Sequence, residues 1–173
     1  MSMPATDVRP VAGWLSVAYQ AAIIFTGALA GAILATWLTE ASLAGSSELW
    51  IAYHQAITPA YTRVLPPTGA LALIAALAAL APSWRNPLAR WLILAAVGCL
   101  IIGFVVTVVV HFPINAELMT WRPAAPPADW PQLRDRWLAA HAIRAVFAVA
   151  AFAMLVIAGS GSGRHAAAGA DRP

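Results

Sequence analysis

Between Gly13 and Leu38 the chain runs without a single charged side chain. As a helix, at about 1.5 Å of rise per residue, that run exceeds the roughly 20 residues needed to cross a bilayer. It is too long for the apolar region of a secretory signal, and no basic leader precedes it, although Ala28-Leu29-Ala30 mimics a cleavage site. We read it as a retained first transmembrane helix. Composition agrees: of 173 residues, 61% are hydrophobic and 10% charged, with mean hydropathy +0.75. A soluble domain averages roughly 45–50% apolar and about 25% charged residues. So few charges cannot cover so much apolar surface in water. Ten Arg, no Lys and seven acids give a pI near 9.8, yet no basic run occurs, which argues against nucleic acid as a partner. The one cysteine, Cys99, lies in an apolar run, so there is neither a disulfide framework nor a thiolate metal motif.

Three further spans are expected. Trp91 to Val110 is uncharged throughout and long enough to cross. Its β-branched run from Val105 to Val110 would favour a strand in water, but an isolated strand leaves its backbone unpaired in lipid, so helix is expected, ending at Pro113. Thr68 to Ala81 is apolar but too short to cross alone, and must borrow from the amphipathic segment Glu48 to Leu65. A broken helix, part interfacial and part spanning, is expected around Pro66-Pro67. Trp137 to Ala158 is again of spanning length and carries His141 and Arg144 in its first two turns. The expected fold is therefore all-α: an antiparallel four-helix bundle in the membrane, with an extra amphipathic helix after the first span. Its spans fall at about 13–38, 60–81, 88–112 and 137–158, between a polar tail at 1–12 and a flexible, Gly/Ser- and Ala-rich tail at 159–173. Four spans put both termini on one side, and arginines tie at five a side. The short, acid-free loop Pro82–Arg90 favours termini in the cytoplasm.

Polar residues gather at the end opposite the termini. His54, His111 and His141 fall there, with Glu40 closing the first span and Asn115 and Glu117 following His111. Ionisable groups at the bilayer centre cost at least roughly 2.5–3.5 kcal/mol each, so their confinement to one mouth is the main functional signal. Arg134, Trp137, His141 and Arg144 recur at spacings of three, four and three, which aligns them on one helical face. Arg144 either snorkels to the surface or locks to Glu40 or Glu117, or it neutralises an anion forming in a pocket beside His141 as proton acceptor. His54, Thr58 and Tyr61 share a second face. The histidines are either single hydrogen-bonded interfacial groups or a metal centre of His54, His111 and His141, imidazole being suited to zinc, copper or iron. No local ligand motif supports the metal. Trp14, Trp37, Trp84, Trp91, Trp121, Trp130 and Trp137 lie near span ends, where interfacial anchoring is the default role. Trp121 and Trp137, beside the polar cluster, are also placed to stack on a planar substrate. Gly27 and Gly31 form a close-approach motif for a neighbouring helix.

The segment Pro113-Ile114-Asn115, Leu118, Trp121, a Pro-rich loop, then Trp137-x₃-His141-x₂-Arg144 resembles the membrane family that contains the fungal anthrone oxygenases. The likeness extends over roughly residues 13–158 in its plan of four spans and an amphipathic segment after the first. Ile57-Thr58-Pro59-Ala60 is a loose counterpart of that family's Pro-rich signature. The resemblance implies O₂-dependent oxidation of a polycyclic phenolic substrate, without an organic cofactor, in a bacterial inner membrane. Asn115, Trp137, His141 and Arg144 occupy that family's recurring polar positions; Asn115, His141 and Arg144 are expected to be catalytic, and Trp121, Trp137, His54 and Tyr61, from their placement beside the polar cluster, to lie around the substrate. The competing reading is a non-catalytic membrane partner or small-molecule binder in which the His/Arg cluster braces helices. A transporter ranks below both: Pro66-Pro67 hints at a broken helix, but no inverted repeat is visible in so short a chain, which would have to form a homo-oligomer.

Overall fold

The computed structural model describes the backbone of residues 9–170 and the side chains of residues 17–160. Among the described residues there are six α-helices: α1 (Arg9–Leu43), α2 (Ser47–Ala78), the short α3 (Leu80–Ser83), α4 (Pro87–Val106), α5 (Phe112–Leu118) and α6 (Trp130–Ala170). A π-helical turn, Thr107–His111, joins α4 to α5. Among the described residues there is no strand, only an isolated bridge between Arg122 and Ala125 in the loop before α6. Four stretches among the described residues are long and apolar enough to cross a membrane: Val17–Leu43, Ser47–Ser83, Pro87–Leu118 and Trp130–Ser160. Their outward faces carry large apolar side chains such as Ile24, Ile74, Phe104 and Val146, each more than 60% exposed, as a hydrocarbon solvent requires.

The connections are short where capping is strong. Ser46 accepts the Leu49 amide at 3.3 Å to open α2, and Asn86 accepts the Ala89 amide at 3.2 Å ahead of Pro87 to open α4. These caps satisfy donors left free in the first turn of each helix. α1 packs between α2 and α6, and α6 packs in turn on α4, whereas α2 and α4 touch sparsely. One end of the bundle is an apolar core of mainly alanine: Ala72, Ala75, Ala76 and Ala79 of α2 meet Ala89, Ile93 and Ala96 of α4, with Ala151 and Leu155 of α6. The other end is a core of Trp50, Ile51, Ile114, Leu118 and Trp137.

Two expected interruptions are absent. α2 continues through Pro59, Pro66 and Pro67 as one helix, so the amphipathic segment and the second span are a single element. Each proline withholds one amide from the ladder, but all three lie on the exposed face, away from the packed neighbours. Nor does the third span end at Pro113: the backbone widens into the π turn, with the Phe112 amide bonding to the Thr107 carbonyl, and helix resumes to Leu118. The wider turn accommodates a residue that has no amide to give. At the chain ends, α1 starts at Arg9 and α6 continues to Ala170, where sequence suggested tails; residues 1–8 and 171–173 lie outside the described residues. Of the Gly27/Gly31 pair only Gly27 is a close contact, where an added Cβ would meet the Phe152 ring at 2.9 Å.

Candidate functional site

The helices alternate in direction, so the C-terminal parts of α1 and α4–α5 and the N-terminal parts of α2 and α6 meet at one end. That topology gathers Glu40, His54, His111, Asn115, Trp137, His141 and Arg144 around one cavity of about 390 Å³. Its remaining walls are largely apolar, with Leu29, Ile33, Tyr61, Leu65, Leu73 and Phe104 among them. The volume falls within the range of small-molecule sites, roughly 300–1,000 Å³.

Trp137 is the hub of the polar end. It is 3% exposed, stacks on His141 with ring centroids 4.5 Å apart, and meets His54 and His111 edge-on at 5.1 and 5.2 Å. Its indole N–H donates to Asn115 Oδ1 at 2.8 Å. An indole nitrogen can only donate, which fixes the orientation of the Asn115 amide. His54 Nε2 lies 3.2 Å from the same oxygen, so it too must donate. His54 Nδ1 lies 2.9 Å from Glu40 Oε1, both residues being essentially inaccessible to solvent. With Nε2 protonated, that contact carries one proton shared between imidazole and carboxylate. Glu40 Oε2 has no hydrogen-bond partner among the described residues.

The same reasoning assigns the other two rings. His141 Nε2 is 2.9 Å from the Ile33 carbonyl, which can only accept, so Nε2 carries the hydrogen. Nδ1 then accepts from Arg144 Nη2 at 3.3 Å. Both nitrogens of His141 are thus engaged, and it holds Arg144 rather than standing free as a proton acceptor. His111 is the opposite case. Its Nδ1 faces the Val106 carbonyl at 3.4 Å, a contact set up by the π turn, and its buried Nε2 has no partner. Arg144 donates from Nη1 to Thr107 Oγ1 at 3.0 Å, and its buried Nε is unpartnered. No carboxylate lies within ion-pair distance of Arg144 among the described residues, so neither expected lock, to Glu40 or to exposed Glu117, is formed.

Two further expectations are corrected. Trp121 does not line the cavity; it packs at the edge of the aromatic core, and its carbonyl, with that of Leu118, accepts from Gln55 Nε2 at 2.9 and 2.8 Å. The loop residue is held as a clasp on α2. His54, His111 and His141 are not arranged as a metal centre: among the described residues no group of three or more His, Cys, Asp or Glu is placed to hold an ion. The indole of Trp137 sits among the three rings, and both nitrogens of His54 and His141 are already bonded. Nor is the four-residue stripe on α6 all one site. Arg134 turns to Asp135 and the Ala44 carbonyl and lies over Trp130, 4.7 Å from its ring centre.

Sequence spacing missed two participants and the partner of a third. Trp50, fully buried and 5.4 Å from the His54 ring, sits one turn before it and carried the signal of an aromatic at i−4. Thr107 gave no signal, because its role depends on the π turn. Glu40 was visible as an acid ending an apolar span, but its pairing with His54 spans the α1–α2 turn.

Residues 57–154, more than half the chain, match the family model described as anthrone oxygenase. No curated protein and no solved structure matches the chain. With that match lying over the π turn, Asn115, Trp137, His141 and Arg144, the chain belongs to the anthrone oxygenase family.

Proposed function

We propose that the cavity binds a polycyclic phenolic carbon acid of the anthrone type and that the protein oxidises its central methylene to a carbonyl with O₂, releasing water. One observation carries this reading: a free imidazole nitrogen and a guanidinium without a carboxylate partner share one wall of an apolar cavity. A base and a cation so placed suit a substrate that is neutral on entry and becomes an anion by losing a proton.

His111 Nε2 takes the methylene proton, and the electron pair left behind spreads onto the ring oxygen as a phenolate. Arg144, held by Thr107 and His141, stabilises that charge in a site of low dielectric, where such stabilisation is strongest. The anion passes one electron to O₂, and the resulting radical pair combines into a carbon–peroxide bond. The peroxide's outer oxygen takes back the proton held by His111; loss of the second methylene proton to the freed His111 Nε2, with cleavage of the O–O bond, then leaves the carbonyl, and the departing hydroxide is protonated to water. The proton shared by Glu40 and His54 is near enough to the cavity to serve that last step. Asn115 positions His54 and Trp137, and Tyr61 lies against the substrate rings. We place both termini in the cytoplasm of a bacterial cell, with the polar end toward the far side of the inner membrane. No step is routed through a metal, since the donor set does not fit one.

The dense bonding of His54, Trp137 and His141 favours a second reading, a binder whose polar cluster only braces the helices. Turnover separates the two. In proteoliposomes with an anthrone, His111→Gln and Arg144→Gln should each lower the oxidation rate by about 10²–10³-fold. Rates equal to wild type in both variants would overturn the enzymatic reading.

A further inference from the structure

The bundle is closed at both ends and open along one side. At the apolar end, α2 and α4 meet through Ala72, Ala76, Ile93 and Ala96. At the polar end, Ile51 packs with Ile114 and Leu118, and Gln55 clasps the carbonyls of Leu118 and Trp121. Between these two contacts, α2 and the α4–π segment separate, and the cavity fills the space. Thr62, Pro66 and Ala70 of α2 and Phe104 and Phe112 of the facing helix line the cavity yet are exposed on the outside of the bundle, Phe104 at 64% and Phe112 at 43%. A lining residue that is also exposed marks an opening. A second depression shares Thr58, Thr62, Phe112 and Asn115 with the cavity and continues outward to exposed Ala116 and Met119.

The depth of the opening decides what enters. Pro66 and Phe104 both lie near the middle of their spans, Ser47–Ser83 and Pro87–Leu118. An opening there faces hydrocarbon rather than water. We propose that the gap between α2 and α4 is a lateral mouth through which a planar, uncharged, lipid-dissolved aromatic molecule enters from the bilayer, its polar edge leading toward His111 and Arg144. Apolar walls accept the rings, and the polar groups wait at the deep end. A ligand carrying a fixed charge cannot take this route, because it does not dissolve in the hydrocarbon layer. The inference concerns entry and binding, and stands whether or not the bound molecule is oxidised.

The test uses the full chain in phosphatidylcholine vesicles, with anthraquinone, which has no methylene to oxidise, and anthraquinone-2-sulfonate, the same rings with a fixed charge. Stopped-flow quenching of tryptophan fluorescence reads the rate of entry. Anthraquinone supplied in the vesicles should bind, and the sulfonate supplied in water should not. Thr62→Phe/Ala70→Phe, which fills the gap, should slow both entry and exit about tenfold. Phe104→Ala, which widens it, should speed entry, and Val146→Phe, on the outward face of α6, should change nothing. If the double variant fails to fold, the acceleration in Phe104→Ala carries the test alone. The mouth is refuted if the filled gap leaves the rate unchanged, if Phe104→Ala does not accelerate entry, if the sulfonate enters from water as readily as anthraquinone, or if wild type binds neither. A dimer that Thr62→Phe/Ala70→Phe dissociates would equally overturn it, since the gap would then be covered by a second copy.

Discussion

The two ends of the bundle use opposite packing chemistry. At the end near the α3 turn, alanines let the helix backbones approach, and the interior is a tight apolar core. At the other end, three imidazoles, two indoles, a carboxylate and a guanidinium occupy the same interior. Those side chains are large, and all but Trp50 reach at least one hydrogen-bond partner, unsatisfied polar groups being costly in an apolar surrounding. They hold the helices apart, and the volume they cannot fill becomes the cavity. In lipid there is no hydrophobic drive between helices, so small residues make the tightly packed end and polar residues make the end that holds the cavity.

That contrast is open to direct attack. The largest effect should come from breaking the buried Glu40–His54 pair. Glu40→Ala leaves an imidazole without its partner, and removing one member of such a pair typically costs about 3–5 kcal/mol. Thermal unfolding in detergent should fall steeply, while Glu40→Gln, whose side-chain amide can still donate to His54 Nδ1, should lose much less. At the apolar end, Ala96→Leu should overpack the α2–α4 contact and cost about 1–3 kcal/mol, with anthrone turnover per folded molecule unchanged. Equal loss of turnover there would break the division between the ends. The smallest effect is expected at Trp137→Phe, which removes one hydrogen bond to Asn115, about 1 kcal/mol in stability. It should still lower turnover, because the amide that orients His54 is then free to rotate.

The spans and their polar mouth are legible in the sequence because lipid imposes length and charge rules that need no tertiary knowledge. The run from Gly13 to Leu38 and the placement of His54, His111, Asn115, His141 and Arg144 at one end follow from those rules alone. What does not follow is the partner of each group. A spacing of three residues put His141 beside Arg144, yet only the approach of the Ile33 carbonyl turns that histidine into a support and leaves His111 as the free one. Proline rules misjudged both Pro66-Pro67 and Pro113. In the first case the ring lies on an exposed face, and in the second a π turn absorbs the missing amide, an adjustment that one-dimensional pattern does not encode. Trp121 misled in the same way, since its place in the loop is set by the Gln55 clasp.

The central claim is that the polar end of the cavity removes a proton from carbon. Hydrogen–deuterium exchange at the methylene of an anthrone, followed by NMR without O₂, isolates that step from everything after it. We expect wild-type proteoliposomes to accelerate exchange over empty vesicles, and His111→Gln to return it to the background rate. Exchange by wild type no faster than in empty vesicles, or undiminished in His111→Gln, would contradict the claim.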